Sequence, residues 1–572
     1  YLLVASAAVF LQTFVSGGLS PTVITTLELR FGLSSVESGA WGAFYDVAAA
    51  VVAIPIAHRI SLWHKPRTVG FGVLLSAVGS FLVVLPFLLA DSFQTSFTGE
   101  TFVCDAGNPA RSCEPGSFQL LEYICLCAGQ VVLGVASVPL FTAGVAYMDE
   151  AVSASRLPVY LAVFYSCTTL GPAAGFVLGG SLLDVWEDLG DPPHEDLDPE
   201  DTGAWVGAWW AGFAAGGIGL ALLAIPVCAF PRYLPNTAHV RTAKKQQAAT
   251  SSQSGAALSS EQRRLWPTVK RLARNPVLIL ASFAVAGAGL VVAGVGTFLP
   301  KFVEVNFQRS PGDAAILAGI VVIPGAVAGT LFGGWFVKRC KFTTRQQLLC
   351  VTVCVGLTVL LSPVFLFSCG GIQVDGTSPT ACNSGCACPA DLAYTPVCGG
   401  GVTYFSGCAA GCAASPDADT FTDCACVAAA LGVANNVTQA VAATGVCSDS
   451  CSAAPFLVGL CAIMFIAFSV VTPLQNVFLR SVPFYERETA IAVNSTMTRL
   501  FGVIWGPILL GALLDGACDV EQDTCNGTSS CVLYDADAMQ VTFTVFTAVG
   551  LLASFLLFAA SYKLYKVTDD TP

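Results

Sequence analysis

The sequence predicts an all-α membrane protein: twelve transmembrane helices in two six-helix halves, plus a small disulfide-rich extracellular insert. Three observations predict it. Only 11% of the 572 residues are charged while 54% are hydrophobic, against about a quarter charged in an ordinary soluble domain. Apolar runs of roughly 20 residues, enough to cross about 30 Å of hydrocarbon, recur to the end of the chain, which excludes a lone signal peptide or single anchor. Sixteen of the 24 cysteines crowd into a few of the loops between those runs. The net charge of −12 does not mark an acidic domain. Acid concentrates in loops such as "DVWEDLGDPPHEDLDPEDT" and base in others such as "VKRCKFTTR", with no surface suited to nucleic acid.

The helices come from twelve stretches, about 1–22, 38–57, 68–90, 122–147, 158–183, 205–230, 277–298, 314–336, 347–368, 455–478, 491–514 and 539–563. The chain opens directly on an apolar run, so a native start and cytoplasmic tail are expected upstream. Lys and Arg set the orientation, because basic loops stay on the cytoplasmic side. About 21 of the 26 lie after even-numbered helices or in the tail, among them Arg59, Lys65, Arg67, Lys244, Lys338 and Arg339. The loops after odd-numbered helices hold Arg30, Arg111, Lys301 and Arg309. Both ends are therefore expected inside.

The loop 231–276 is polar and Ser/Gln-rich, a linker expected to be partly disordered. It separates an N-terminal half, 1–230, from a C-terminal half, 277–368 with 455–563, and a short tail, 564–572. The halves echo each other. Helix five ends Gly175…Gly180-Ser181-Leu182-Leu183-Asp184, and helix eleven ends Gly506…Gly511-Ala512-Leu513-Leu514-Asp515. These are equivalent positions in a duplicated bundle, the build of many secondary transporters.

Sixteen cysteines fall in outward loops, where disulfides persist. Eleven lie in the insert, 369–454: Cys369, Cys382, Cys386, Cys388, Cys398, Cys408, Cys412, Cys424, Cys426, Cys447 and Cys451. A segment with so little apolar periodicity needs staples. Zinc is disfavoured, since His is absent and the spacing lacks paired C-x-x-C units. Cys104 and Cys113 could pair within their loop. Eleven is odd, and so are the three at Cys518, Cys525 and Cys531. Full pairing then calls for a bridge between the insert and that last loop, or leaves two free thiols. Asn436 and Asn526 head outward glycosylation sequons, whereas Asn494 falls within helix eleven.

Within the insert, "CACPADLAYTPVCGGGVTYFSGCAAGC" resembles a Kazal domain through Cys388, Tyr394, Pro396, Val397, Cys398, Gly399, Thr403, Tyr404, Cys408 and Cys412. The polar turn usual after Cys-Gly is here Gly-Gly. Twelve helices with such an insert between nine and ten resemble the organic anion transporting polypeptides, solute carriers of the major facilitator fold. Their signature is matched at the outer edge of helix six by Asp201, Trp205, Gly207, Trp209, Trp210 and Gly212. "TTLELRFGLSSVESG", "FPRYLP", "TFLPKFVEVNF" and "TRLFGVIWGPILLGALLD" add matches along the chain. Two positions depart from the family pattern. Helix three reads Leu85-Pro86-Phe87 where Leu-Pro-His is frequent, and helix four has Leu133 where an arginine is usual.

The resemblance implies sodium-independent movement of large amphipathic organic anions (bile salts, steroid conjugates, prostanoids) across the plasma membrane, with a counter-anion in exchange. An anion path needs a cation or helix N-termini aimed at it, and a charge in mid-membrane is rarely idle. Arg499, well inside helix eleven, matches a family arginine and is expected to bind cargo or to pair an acid such as Asp46 of helix two. Lys301, at the outer end of helix seven, matches a family lysine and binds cargo or snorkels. Arg30 pairs with Glu28 at the surface or steers anions. On Trp205 and Trp209, four apart, a shared helical face is expected. Gly171-Pro172-Ala173-Ala174-Gly175 in helix five suits a rocking interface. No Walker, HExxH or GxSxG pattern occurs, so no enzyme is expected, and no cofactor or metal is called for. Partners are small organic anions and the lipid bilayer, with no nucleic acid. Two rival readings stand: a membrane-anchored receptor or protease-inhibitor module carrying the insert, and a narrow prostanoid or monocarboxylate carrier.

Overall fold

The computed structural model describes the chain outside residues 90–103, 105–119, 190–205, 243–264, 308–310, 369–373, 376–381, 389–395, 433–439, 448–451, 524–528 and 566–572, and outside the short stretches 32, 34, 61–62, 154, 236, 239–241, 385, 387, 418–419, 446 and 484–485. Among the described residues eleven helices are long and apolar enough to cross a bilayer. The helix Pro311–Cys340 occupies the place of the eighth expected span. Helices dominate because every backbone N–H and C=O inside hydrocarbon must be satisfied within its own segment. Local signals set the ends. Thr343 and Gln346 form a reciprocal capping box before the ninth span, Thr344–Leu361. The Asp535 carboxylate accepts from the backbone N–H of Asp537 and Ala538 to open the twelfth, Ala536–Leu564.

Among the described residues, two spans carry a π-helical turn. The first runs Leu2–Thr13, widens into a π-helical turn at Phe14–Leu19, and resumes at Ser20–Thr22 and Ile24–Phe31. The eleventh runs Arg487–Thr498, makes a π turn at Arg499–Val503, and resumes at Trp505–Asp515. Such turns often mark functional sites. Both lie where backbones touch. The Cα atoms of Gly18 and Gly175 are so close that a Cβ on either would sit 2.6 Å from the other. A Cβ at Gly502 would lie 2.2 Å from the Ala286 carbonyl, and one at Gly506 2.4 Å from that of Leu290. Span one therefore meets span five as span seven meets span eleven, so the internal repeat reappears as equivalent packing. The same contacts correct the reading of Gly171. A Cβ there would meet Thr13 and Phe10 of span one, so this glycine thins a contact inside one half and not the surface between halves.

Each half has its own core. In the first, Leu133, Phe164, Trp209, Phe213 and Leu220 are among the buried residues. The second carries one cluster toward the insert, where Phe302 stacks on Phe456 at 5.3 Å, and another around Leu278, Val351, Phe478 and Phe558. The sixth span, Trp209–Ala229, starts four residues later than its apolar run suggests. Before it, Gly207 forms an isolated bridge with Trp186. A Cβ at Gly207 would lie 2.2 Å from the Leu183 carbonyl, so the chain is pinned in extended form. Trp205 lies outside the described residues, as does Asp201; Val206, Gly207 and Ala208, which lead up to Trp209, are not helical.

The insert builds a six-stranded sheet from β1 (Val374–Asp375), β2 (Val397–Gly399), β3 (Val402–Tyr404), β4 (Ala414–Asp417), β5 (Thr420–Thr422) and β6 (Ala442–Thr444). The spatial order is β1-β3-β2-β6-β5-β4. Gly400 and Gly401 have φ of +62° and +81°. They form the two-residue hairpin turn between β2 and β3 that demands left-handed conformations, and this explains the Gly-Gly. Among the described residues, four bridges staple it: Cys382–Cys426, Cys388–Cys408, Cys398–Cys447 and Cys412–Cys424. A fifth corrects the expected Cys104–Cys113 pair. Cys104, between spans three and four, bonds Cys386 across 282 residues of sequence. Its N–H donates to the Cys412 carbonyl at 2.7 Å, so Cys104 ties the first half to the insert of the second. Cys518 is disulfide-bonded. Cys113, Cys369, Cys451, Cys525, the side chain of Cys531, and the sequons at Asn436 and Asn526 lie outside the described residues. The free thiols among the described residues are Cys125, Cys127, Cys167, Cys228, Cys340, Cys350, Cys354 and Cys461, the same eight that the sequence assigns to helices and inner loops.

Candidate anion site between the two halves

Spans two (Ser35–Ile60) and eleven meet along a seam of small residues, with Ala49, Ala53, Ala57 and Ala492 buried together. The Thr496 hydroxyl donates to the Ala50 carbonyl across the seam at 3.2 Å. One turn nearer the insert, the Arg499 guanidinium pairs with the Asp46 carboxylate. Their side chains keep 17% and 22% of their exposure. The guanidinium carbon lies 5.1 Å from the centre of the Tyr45 ring, a cation–π arrangement. Tyr45 is fixed from behind, since its carbonyl backs onto Gly134 of span four with no room for a Cβ. Past this pair, Trp505–Asp515 packs on spans seven and twelve. An ion pair in mid-membrane offsets the insertion cost of both charges. Arg499 sits in a π turn and stays partly exposed, so it can exchange a carboxylate partner for another anion.

At the opposite end of the seam, toward the basic loops, charge seals the halves together. Lys65, which opens span three, donates to Glu150 at 2.6 Å and also pairs with Glu488 of the second half. Arg487 pairs with Asp149, again from half to half. A Cβ at Gly334 of span eight would strike Ala162 and the Pro158 carbonyl of span five, so the second seam is also tight there. The sequence reading missed these groups. Each stands at a span end, where a basic or acidic residue reads as a solvated loop, and only the presence of opposite charges on both halves could have signalled them.

The other expected residues lie at the insert end. Arg30 is not a surface charge as expected beside Glu28, whose side chain lies outside the described residues; it is buried against Glu187. Its Nε donates to both Glu187 oxygens at 2.9 Å, with side-chain exposures of 5% and 2%. Trp209 Nε1 donates to the same carboxylate at 3.0 Å, and Trp210 Nε1 to the Glu187 carbonyl at 2.9 Å. The reason is desolvation: a carboxylate carried under the tryptophans needs a buried cation and several donors. Phe31 meets Trp209 edge-on at 5.7 Å, and Phe87 stacks on Trp210 at 4.3 Å. Phe87 occupies the position where the family pattern has histidine, so this stack fills that place with an apolar ring. Glu187 gave no signal of its own within an acidic run. Leu133, in the place of the usual arginine, is fully buried against Gly79. Gly212 packs on Leu19 of span one.

Lys301 falls within the seventh span, which extends to Phe307, further than its apolar run. It pairs with Glu304 at 3.0 Å, half-exposed, 5.7 Å from the Tyr534 ring centre. The structure therefore brings Arg499 and Asp46 together and leaves Arg30 and Lys301 at separate places on the insert side.

The family model described as Organic Anion Transporter Polypeptide (OATP) family matches residues 1–539. Solute carrier organic anion transporter family member 4A1 of Mus musculus is 33% identical, covering 99% of this chain and 82% of its own. Member 4C1 of Homo sapiens is 30% identical, covering 92% and 75%. Among solved structures, the major facilitator superfamily transporter FucP in the outward conformation aligns with a TM-score of 0.54 at 13% identity, covering 98% of both chains. The proton:xylose symporter XylE, bound to 6-bromo-6-deoxy-D-glucose, aligns with a TM-score of 0.54 at 12% identity, covering 98% and 95%.

Proposed function

The chain belongs to the organic anion transporter polypeptide family, and from that premise we propose that it carries amphipathic organic anions of the bile-salt, steroid-conjugate or prostanoid type by alternating access. The carriage is sodium-independent, crosses the plasma membrane, and exchanges cargo for an intracellular anion. Both termini are cytoplasmic, on the ground that basic loops stay inside. The half 1–230 rocks against the half formed by 277–368 and 455–563, with 231–276 as linker, 369–454 as an outer cap and 564–572 as tail.

One observation carries the reading: the Arg499–Asp46 pair stands where the two halves meet. Cargo charge engages Arg499 as its bond to Asp46 loosens, and aromatic rings such as Tyr45 take the apolar body. Lys301 and Arg30 act at the outer side, Lys301 as a docking cation and Arg30 by holding the rim in shape. The paired charges at the basic end must part for release, so cargo binding has to compensate for breaking them. Uptake of a labelled sulfated steroid into proteoliposomes tests this. Saturable uptake without a sodium gradient, accelerated by a preloaded anion, is the expected result. No uptake across a panel of steroid sulfates, bile salts and prostanoids overturns it.

A further inference from the structure

The basic end of the molecule holds a pocket at the inner end of span two. Its volume is about 370 Å³, lined by Pro55, Ile56, His58 and Arg59 of span two, by Trp63, and by Leu265. Leu265 opens a nine-residue helix, Leu265–Ala273, ahead of span seven. That helix buries Thr268 and Leu272 and turns Trp266, Lys270 and Ala273 outward, with Arg274 exposed in the turn that follows. Positions i, i+4 and i+7 form one face. Trp266 is 75% exposed and Trp63 52%. Two bare indoles beside cations are poorly placed in water, but they match the headgroup layer of a membrane, where short helices with aromatic and basic residues lie flat.

Among the described residues, Arg59, Lys270 and Arg274 pair with no acid. His64, nearby, is held below its ordinary pKa by desolvation and by Arg67, so the positive charge at neutral pH comes from the arginines and lysine. The pocket also spans the halves. Arg59 and Trp63 belong to the first. The Leu265 helix, at the end of the 231–276 linker, is tied to the second through Asn275, which accepts from the Val277 N–H of span seven at 3.1 Å and donates to the Ser481 carbonyl at 3.0 Å.

We propose that this pocket binds the phosphate headgroup of an anionic phospholipid at Arg59, with Trp266, Lys270 and Arg274 seated on the same headgroup layer, so that the lipid bridges the two halves at their sealed end. The apolar part of the lining (Pro55, Ile56, Trp63, Leu265) takes the glycerol and upper acyl chain, which a free phosphate lacks. Basic clusters at this depth attract anionic lipid at about 1 kcal/mol per cation, or roughly fivefold in affinity each.

The test is native mass spectrometry and thermal melting of the purified full chain titrated with phosphatidylserine, phosphatidylinositol 4-phosphate or phosphatidylcholine. The two anionic lipids should be retained and raise the melting temperature, and phosphatidylcholine should not. Arg59→Gln should weaken retention about fivefold, and Arg59→Gln with Lys270→Gln and Arg274→Gln roughly a hundredfold. All three side chains are exposed; if the triple variant is not monodisperse, Arg59→Gln and the Lys270/Arg274 double variant are read separately. Undiminished retention in folded variants, equal retention of phosphatidylcholine, or full competition by glycerophosphoinositol phosphate, which has no acyl chain, overturns the proposal.

Discussion

Arg499→Ala separates a cargo-binding arginine from a purely structural one. The guanidinium is largely buried, paired with Asp46 and set against Tyr45. Hydrogen bonds to charged groups are worth about 1.5–3 kcal/mol, which converts to roughly a ten- to hundredfold rise in apparent KM if the same donors hold cargo. The substitution also leaves Asp46 unpaired in the membrane, so stability falls. Adding Asp46→Asn removes that orphan charge. In the double variant, surface abundance and melting temperature should recover while KM stays high, because the cation is still missing. The assay is initial-rate uptake of a labelled steroid sulfate, normalised to surface biotinylation, with Arg499→Lys as the conservative control of intermediate KM. Wild-type KM in Arg499→Ala at normal surface abundance, or full rescue of uptake by the double variant, refutes the binding role.

Glu187→Gln should destabilise the insert end by about 1.5–3 kcal/mol, the usual worth of hydrogen bonds to a charged group, because Arg30 Nε and Trp209 Nε1 both donate to that carboxylate. Denaturation followed by tryptophan fluorescence reads it directly, and an unchanged midpoint would count against a stabilising role for Glu187. Lys65→Met breaks the link between Glu150 and Glu488, so a cysteine placed at the buried seam position Ala53 should react faster with a thiol reagent applied from the basic face. Equal reaction rates with and without Lys65 would mean that this link does not hold the seam shut. A peptide map of the oxidised protein should contain the Cys104–Cys386 cross-link, and also one joining the insert to the loop of Cys518, Cys525 and Cys531. Absence of the second removes that bridge from the pairing scheme.

The fold class was legible because each signal is local. Twenty apolar residues need a membrane whatever surrounds them, glycines and prolines keep the helices close, and cysteines in a segment without a core imply staples. The same locality explains the misreadings. The tryptophan block reads as a continuous helix, yet the helix begins only at Trp209, because Gly207 is held against the Leu183 carbonyl by a span that precedes it in the chain. Arg30 reads as a surface charge beside Glu28, yet it is buried with Glu187, 157 positions away. Cys104 reads as the partner of its neighbour, yet it joins the other half.

By itself, then, the sequence determined the membrane class, the rough place of most of the spans, the duplicated plan, the oxidised insert and the family resemblance. Periodicity, run length and composition need no partner to be read. Only the tertiary structure decided which charges meet: Arg499 with Asp46, Lys65 with Glu150 and Glu488, Arg487 with Asp149, Arg30 with Glu187. An ion pair between distant segments is a property of packing. In a membrane the choice is enforced by desolvation, because a charge that finds no partner there is too costly to keep.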